Sequence, residues 1–299
     1  MSLSRTSPST GPASPEVVGF HDAPTGSIQY LVIDPDTSKA ALVDAVMSFD
    51  PAAARTSTEG VEAILRFAAT EGVEIDRILD THPHADHLMA SASLAERLGV
   101  PNGIGEKVCE IAELWRNLYH LPDAFDPAQD FAQLFDDGDS FQIGNLPVRV
   151  MLTPGHTLGS VTYVVGCDAA FVNDTFMQPD AGTSRADFPG GDAGALYDSL
   201  QAILSLPDRT RLFVGHDYGT ERRKSPAWES TVAEQRRHNT HIGGGVDRAA
   251  YIALREKRDA TLDLPDRMLQ VLQMNLRAGR APAPEADGRS YLKVPLNRF

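Results

Sequence analysis

The chain has 299 residues, of which 41 are acidic and 27 basic, giving a formal net charge of −14, with 42 % hydrophobic residues. That length can bury a sizeable core in one or two domains. The acidic balance excludes general binding to nucleic acid or to an anionic membrane, which need basic surface, and no apolar run reaches the ~18 residues that cross a bilayer.

The start of the chain, MSLSRTSPSTGPASPE, is polar and rich in Ser and Pro. It reads as a flexible arm over residues 1–18 without the apolar core of a secretion signal, so a cytoplasmic location is expected. SIQYLVID and AALVDAV flank PDTSK, which predicts a hairpin. STEGVEAILRFAATEG places Ile64, Leu65, Phe67 and Ala68 at helical spacing and closes on Gly72. VEIDRILD reads as a buried strand, and DHLMASASLAERLG as a helix from Asp86. EKVCEIAELWRNLYHL reads as a second helix with Val108, Ile111, Leu114 and Leu118 on one face. After the turn DDGD, the runs SFQI, LPVRVML, VTYVVG and AAFVND read as successive strands, AGALYDSLQAILSL as a helix and TRLFVG as a strand. The rest reads as mainly helical, ending in an extended tail. Cys109 and Cys167 form no CxxC pair and read as small buried thiols in a reducing compartment.

This order predicts an α+β chain with two sheets face to face and helices outside. Each polar cluster follows an apolar strand, so strand ends converging on one edge would collect the clusters into a single site. The densest cluster is THPHADH. His82 and His84 lie two apart around Pro83, which bars a helix interior, so on extended backbone they face the same side. Asp86 and His87 follow at once. Asp86 alone would serve as a helix cap, and one histidine as a satisfied polar group. Four such side chains at one junction point to a metal. TPGHTLGS, FVNDTF and LFVGHDY then place His156, Asp174 and His216 at three further strand ends, with Gly155 allowing close backbone approach.

The HxHxDH cluster followed by His, Asp and His resembles the metallo-β-lactamase superfamily over roughly residues 20–220. The resemblance implies a four-layer αβ/βα sandwich with its metal site along one edge. It divides the chain into an arm over 1–18, a catalytic domain over 19–220 and a mainly helical extension over 221–299 packed on that domain.

All seven ligand positions of a two-metal hydrolase are present: His82, His84, Asp86, His87, His156, Asp174 and His216. A zinc pair there would activate water. The same list contains two histidines and a carboxylate, His82, His156 and Asp174, a set that suits non-haem Fe(II). Spacing does not choose between them. Arg185, Asp187 and Phe188 form an Arg-x-Asp-Phe element similar to that of the persulfide dioxygenases, which lie near glyoxalase II. That likeness implies one Fe(II) per chain on His82, His156 and Asp174. His84, Asp86, His87 and His216 then become supporting residues, or ligands of a second metal in the alternative with two Zn(II). It also implies glutathione persulfide or a related thiol persulfide and O2 as substrates, with sulfite and free thiol as products. The alternative activity is thioester hydrolysis of glyoxalase II type. Asn173 stands where this family usually has Gly, and Asn tolerates the left-handed backbone that the turn requires.

Arg185 reads both as an ion-paired structural residue and as a substrate-binding cation, the second favoured by an anionic substrate. Tyr218 adjoins the site by position and is a substrate-binding candidate, although Trp115, Trp228 and Tyr218 all read first as core. The ERRK run at 221–224 reads as a solvated charge run. His238 and His241 sit near a helix end, where the dipole favours cations, and are not assigned a second metal. His21 and His120 read as structural. No nucleic acid or membrane partner is expected, and self-association as a homodimer is left open.

Overall fold

The computed structural model describes residues 3–299. In chain order the elements are β1 (Leu3–Ser7), β2 (Glu16–Asp22), β3 (Ser27–Ile33), β4 (Lys39–Val43), β5 (Val46–Asp50), β6 (Arg55–Ser57), α1 (Glu59–Glu71), β7 (Glu74–Leu79), β8 (Leu88–Met89), α2 (Ser91–Leu98), β9 (Asn102–Gly105), α3 (Val108–Tyr119), α4 (Pro127–Asp130) and β10 (Gln133–Phe135). There follow β11 (Ser140–Ile143), β12 (Leu146–Leu152), β13 (Val161–Val165), β14 (Ala169–Asn173), α5 (Ala193–Leu204), β15 (Arg211–Val214), β16 (Glu229–Thr231), α6 (Val232–His238), α7 (Arg248–Asp259) and α8 (Met268–Asn275).

A seven-stranded sheet runs β1-β2-β3-β4-β7-β9-β10, a six-stranded sheet runs β11-β12-β13-β14-β15-β16, and a small third sheet runs β6-β5-β8. β3 is buried along its whole length because both faces of its sheet are covered. Alternation sorts its side chains: Tyr30 and Val32 enter the core between the sheets with Val148, Tyr163, Phe171 and Phe213, while Leu31 and Ile33 face Val61, Ile64 and Leu94 of the outer helices. Tyr30 also ties the sheets together, donating its hydroxyl hydrogen bond to the Val214 carbonyl at 2.6 Å. The result is the αβ/βα sandwich, with α6–α8 beyond it. No helix among the described residues is long and apolar enough to cross a membrane.

The parallel pairs decide where the site lies. β4 pairs with β7 and β14 with β15, both parallel, so each pair sends its loops to one edge of its own sheet, and contacts of His82 with Asp174 and of His216 with Asp86 bring the two edges together. β12 runs parallel to β14, since each is antiparallel to β13. In open parallel sheets that carboxyl edge is where ligands bind.

Three expectations need correction. Residues 3–7 of the supposed flexible arm form β1, paired in register with β2. Farther along, Thr10 donates to Asp168 at 2.7 Å, and Arg211 donates to the Pro15 carbonyl at 2.9 Å. Polar composition left the arm without a core of its own but gave it partners elsewhere; residues 1 and 2 lie outside the described residues. The helix expected from Asp86 begins only at Ser91. The intervening backbone is claimed by other elements: Leu88–Met89 pairs with β5, and the Met89 N–H donates to the Asn275 side chain at 2.9 Å. The boundary at 220 cuts through the second sheet, because β16 pairs with β15, and long irregular stretches separate the three helices of the extension.

Candidate metal centre

Five loops deliver the site: Asp44 after β4, His82 to His87 after β7, His156 after β12, Asp174 after β14 and His216 after β15. The turn at His156 depends on Gly155, at φ 132°, where a Cβ would stand 2.3 Å from the backbone of Leu196. Asn173 adopts the left-handed conformation at φ 45°. Its side chain stabilises that turn, donating to the Val161 carbonyl at 2.8 Å and accepting the Thr175 N–H at 3.0 Å.

The loops bring all seven sequence-predicted side chains together in two groups. Donor atoms of His82, His156 and Asp174 lie within 4.8 Å of one another, and so do those of His84, Asp86 and His87. His216 joins the groups: its Nδ1 is 2.6 Å from Asp174 Oδ1 and its Nε2 is 2.6 Å from Asp86 Oδ2. Asp174 Oδ2 stands 3.6 Å from Nε2 of both His82 and His156.

Hydrogen bonding fixes which nitrogen of the His82 and His156 rings is free. Thr81 Oγ1 lies 2.9 Å from Asp44 Oδ2 and 3.0 Å from His82 Nδ1. A hydroxyl has one proton, which goes to the carboxylate, so the oxygen accepts Nδ1–H and His82 keeps its lone pair on Nε2. His156 donates Nδ1–H to the Arg185 carbonyl at 2.9 Å, again freeing Nε2. His84 Nε2 stands 3.2 Å from Asp44 Oδ1 without completing a hydrogen bond, so both of its ring nitrogens lack a hydrogen-bond partner. His87 Nδ1 lies 2.9 Å from Ser27 Oγ. His82 Nε2, both ring nitrogens of His84 and His87 Nε2 are buried without a hydrogen-bond partner. Buried polar atoms are rarely left unpaired, and neutral imidazole nitrogens beside carboxylates are the donors that transition metals take. The residues therefore fit a metal.

Electrostatics agree. Burial, reinforced by neighbouring histidines, holds His82 and His84 well below the usual imidazole range, so both stay neutral. For Asp174 burial acts upward, but the charge and hydrogen bond of His216 prevail and keep the carboxylate ionised. The site floors a cavity of about 820 Å³ lined among others by His156, Asp174, His216, Arg185, Tyr218 and Arg258.

A family model described as the metallo-beta-lactamase superfamily matches residues 23–216, a span that holds all seven side chains. The chain belongs to the metallo-β-lactamase superfamily. Among curated members it is 52 % identical over 284 residues to the beta-lactamase hydrolase-like protein of Xylella fastidiosa strain Temecula1, covering 95 % of this chain and 65 % of that protein. The chain thus spans slightly less than two thirds of that relative. It is 38 % identical over 283 residues to glyoxylase B2 of Dictyostelium discoideum, covering 93 % of this chain and 96 % of that one. In three dimensions it is similar to ETHE1 from Myxococcus xanthus, with a TM-score of 0.70, 28 % identity, and coverage of 88 % and 99 % of the two chains.

Around these superfamily loops the remaining candidates divide. The Arg185 guanidinium is engaged by Asp187, with Nε to Oδ1 at 2.6 Å, and by the Asp263 carbonyl at 2.6 Å, and it lies 4.6 Å over the Phe188 ring. Its carbonyl is what holds His156. Tyr218 is not core: it is 68 % exposed and stacks on His216 at 5.7 Å. Trp115 and Trp228 are buried as expected. Arg223 of the ERRK run pairs with Asp217 and Asp180 rather than standing free in solvent. His238 ends α6, but His241 lies beyond it and accepts the Thr183 N–H at Nδ1, 2.9 Å. Both cysteines are free; Cys109 is half-buried and Cys167 exposed, so neither is the buried thiol expected.

Sequence reading overlooked three residues of the site. Asp44 braces His82 and His84, and its signal was present, since it too follows an apolar strand. Ser27, at the start of β3, touches both His87 and His216, the latter at 2.9 Å. Asn275 of α8 donates to the carbonyls of His84 and His87 at 2.7 and 2.8 Å. A lone Asn among apolar helix residues was the only trace of it.

Proposed function

We propose that the protein is a non-haem iron persulfide dioxygenase. One Fe(II) per chain would be held by His82, His156 and Asp174, and the enzyme would oxidise glutathione persulfide, or a similar low-molecular-weight persulfide, with O2 to sulfite and the free thiol. The carrying observation is the His82–His156–Asp174 triad at the cavity floor, whose two imidazoles present free Nε2 atoms beside an ionised carboxylate. Two histidines and one carboxylate leave coordination positions for substrates, the arrangement suited to Fe(II) oxygen chemistry. The triad draws on no atom of His216, which hydrogen-bonds Asp174 Oδ1 and Asp86 Oδ2. The likeness to ETHE1 supports the same reading.

When bound, the iron would supply the oxygen-activating chemistry. The chain's own contribution is positional: Thr81 and the Arg185 carbonyl fix the ring tautomers, the cavity accommodates a tripeptide-sized thiol, and Arg185 and Tyr218 border the approach. Free Cys109 and Cys167 accord with a reducing compartment, for which we propose the cytoplasm.

A second reading has its own support. His84 Nδ1 and His87 Nε2 also lack partners beside Asp86, as a two-zinc hydrolase of glyoxalase II type would require, and a relative is called glyoxylase B2. Elemental analysis of protein purified without oxygen separates the two. About one iron per chain is expected; two zinc ions with negligible iron after iron supplementation would favour the hydrolase.

A further inference from the structure

The segment 241–263 of the extension grips the loop 183–186 at five points. His241 accepts the Thr183 N–H at 2.9 Å, and the Tyr251 hydroxyl meets Thr183 Oγ1 at 2.8 Å. Arg255 donates to the Thr183 carbonyl at 2.9 Å, Asp259 Oδ2 accepts the Ala186 N–H at 2.9 Å, and Arg185 donates to the Asp263 carbonyl at 2.6 Å. Arg255 and Asp259 are themselves a buried pair, with Nη2 to Oδ1 at 2.6 Å. Arg255 heads the largest fully buried side chains of the protein.

A buried ion pair is weak evidence for stability, because desolvation offsets its attraction. Here each partner also makes a hydrogen bond to the same loop. That loop carries the Arg185 carbonyl, the sole hydrogen-bond partner of His156 Nδ1 among the described residues.

We infer that the Arg255–Asp259 pair of α7 is a positioning device for His156: it holds the 183–186 loop so that the Arg185 carbonyl fixes the ring's tautomer and direction. Outer partners of metal-binding histidines act in this way. The extension thereby becomes part of the metal centre without contributing a ligand. The inference rests on His156 being a ligand, as the proposed function requires.

The test uses the full chain with Co(II) as the probe. Removing one member alone would strand a buried charge and risk unfolding. The double variant Arg255→Met/Asp259→Leu removes the clamp while keeping the interior filled. Expected is roughly a 10-fold or greater loss of Co(II) affinity, with an altered Co(II) absorption spectrum. The control Arg211→Met/Asp168→Leu, at a buried pair beside the N-terminal segment, should leave affinity and spectrum unchanged even where stability falls. A folded Arg255→Met/Asp259→Leu protein with wild-type affinity and spectrum overturns the inference. Should that variant not fold, Arg255→Lys, which keeps a charge beside Asp259 but lacks the guanidinium fork that reaches both Asp259 and the Thr183 carbonyl, decides in the same way. His156→Ala separates the layers: unchanged Co(II) binding there would sink the ligand assignment itself, whatever the clamp variants do.

Discussion

His84 Nε2 stands 3.2 Å from Asp44 Oδ1, so a buried carboxylate borders the ring and the Asp174 carboxylate is not its nearest acid. Asp44 is buried, sits at φ 52°, and also accepts the N–H and hydroxyl of Thr81. Asp44→Asn keeps an acceptor and tolerates the left-handed backbone, but loses the charge that orients two histidines. Metal affinity should fall about 10–100-fold, measured by competition with a chromophoric chelator. Unchanged affinity would show that His82 and His84 are positioned without it.

Arg185→Ala removes the guanidinium but leaves the carbonyl that holds His156. Metal content should stay near that of the parent, while kcat/KM for persulfide drops several-fold, on the order of 1 kcal/mol. Steady-state oxygen uptake paired with iron analysis reads both. Loss of iron in step with activity would make the side chain a structural support, through Asp187 and the Asp263 carbonyl.

Asn275→Leu would orphan the Met89 N–H and the carbonyls of His84 and His87. Each buried unpaired group costs about 1–3 kcal/mol, so with three groups orphaned a stability loss of about 3 kcal/mol or more is expected by urea unfolding. A loss below about 0.5 kcal/mol, within ordinary surface variation, would mean that α8 does not brace the metal loop.

His241 gives a pH signature. Burial, then the charges of Arg255 and Arg258, lower its pKa from 6.5 to about 4. The unfolded chain therefore binds the proton more readily between these values. The stability tied to neutral His241 is present above pH 6.5 and is lost as pH falls toward 4. Allowing for partial solvent screening, the effect is on the order of 1–2 kcal/mol. His241→Gln, which still offers an acceptor to Thr183, should flatten that part of the stability–pH curve; an identical slope would contradict the assignment.

The seven candidate ligands were legible because each is a polar residue closing an apolar run, and parallel strands send such residues to one edge. Asp44 obeyed the same rule but stood alone, with no neighbouring histidine to mark it. Asn275, Arg255 and Asp259 were illegible for another reason. Their roles arise from contacts between segments about 70 to 190 residues apart, which local periodicity cannot carry. The helix misplaced at Asp86 failed for the same cause, because Asn275 claims backbone groups that a local reading assigns to the helix.

Oxygen consumption by the iron-loaded full chain, with glutathione persulfide and parallel sulfite assay, bears most directly on the proposed function. Uptake of one O2 per sulfite formed, abolished by His156→Ala, is expected. Absence of uptake by protein that retains its iron, together with rapid thioester hydrolysis by the zinc form, would contradict it.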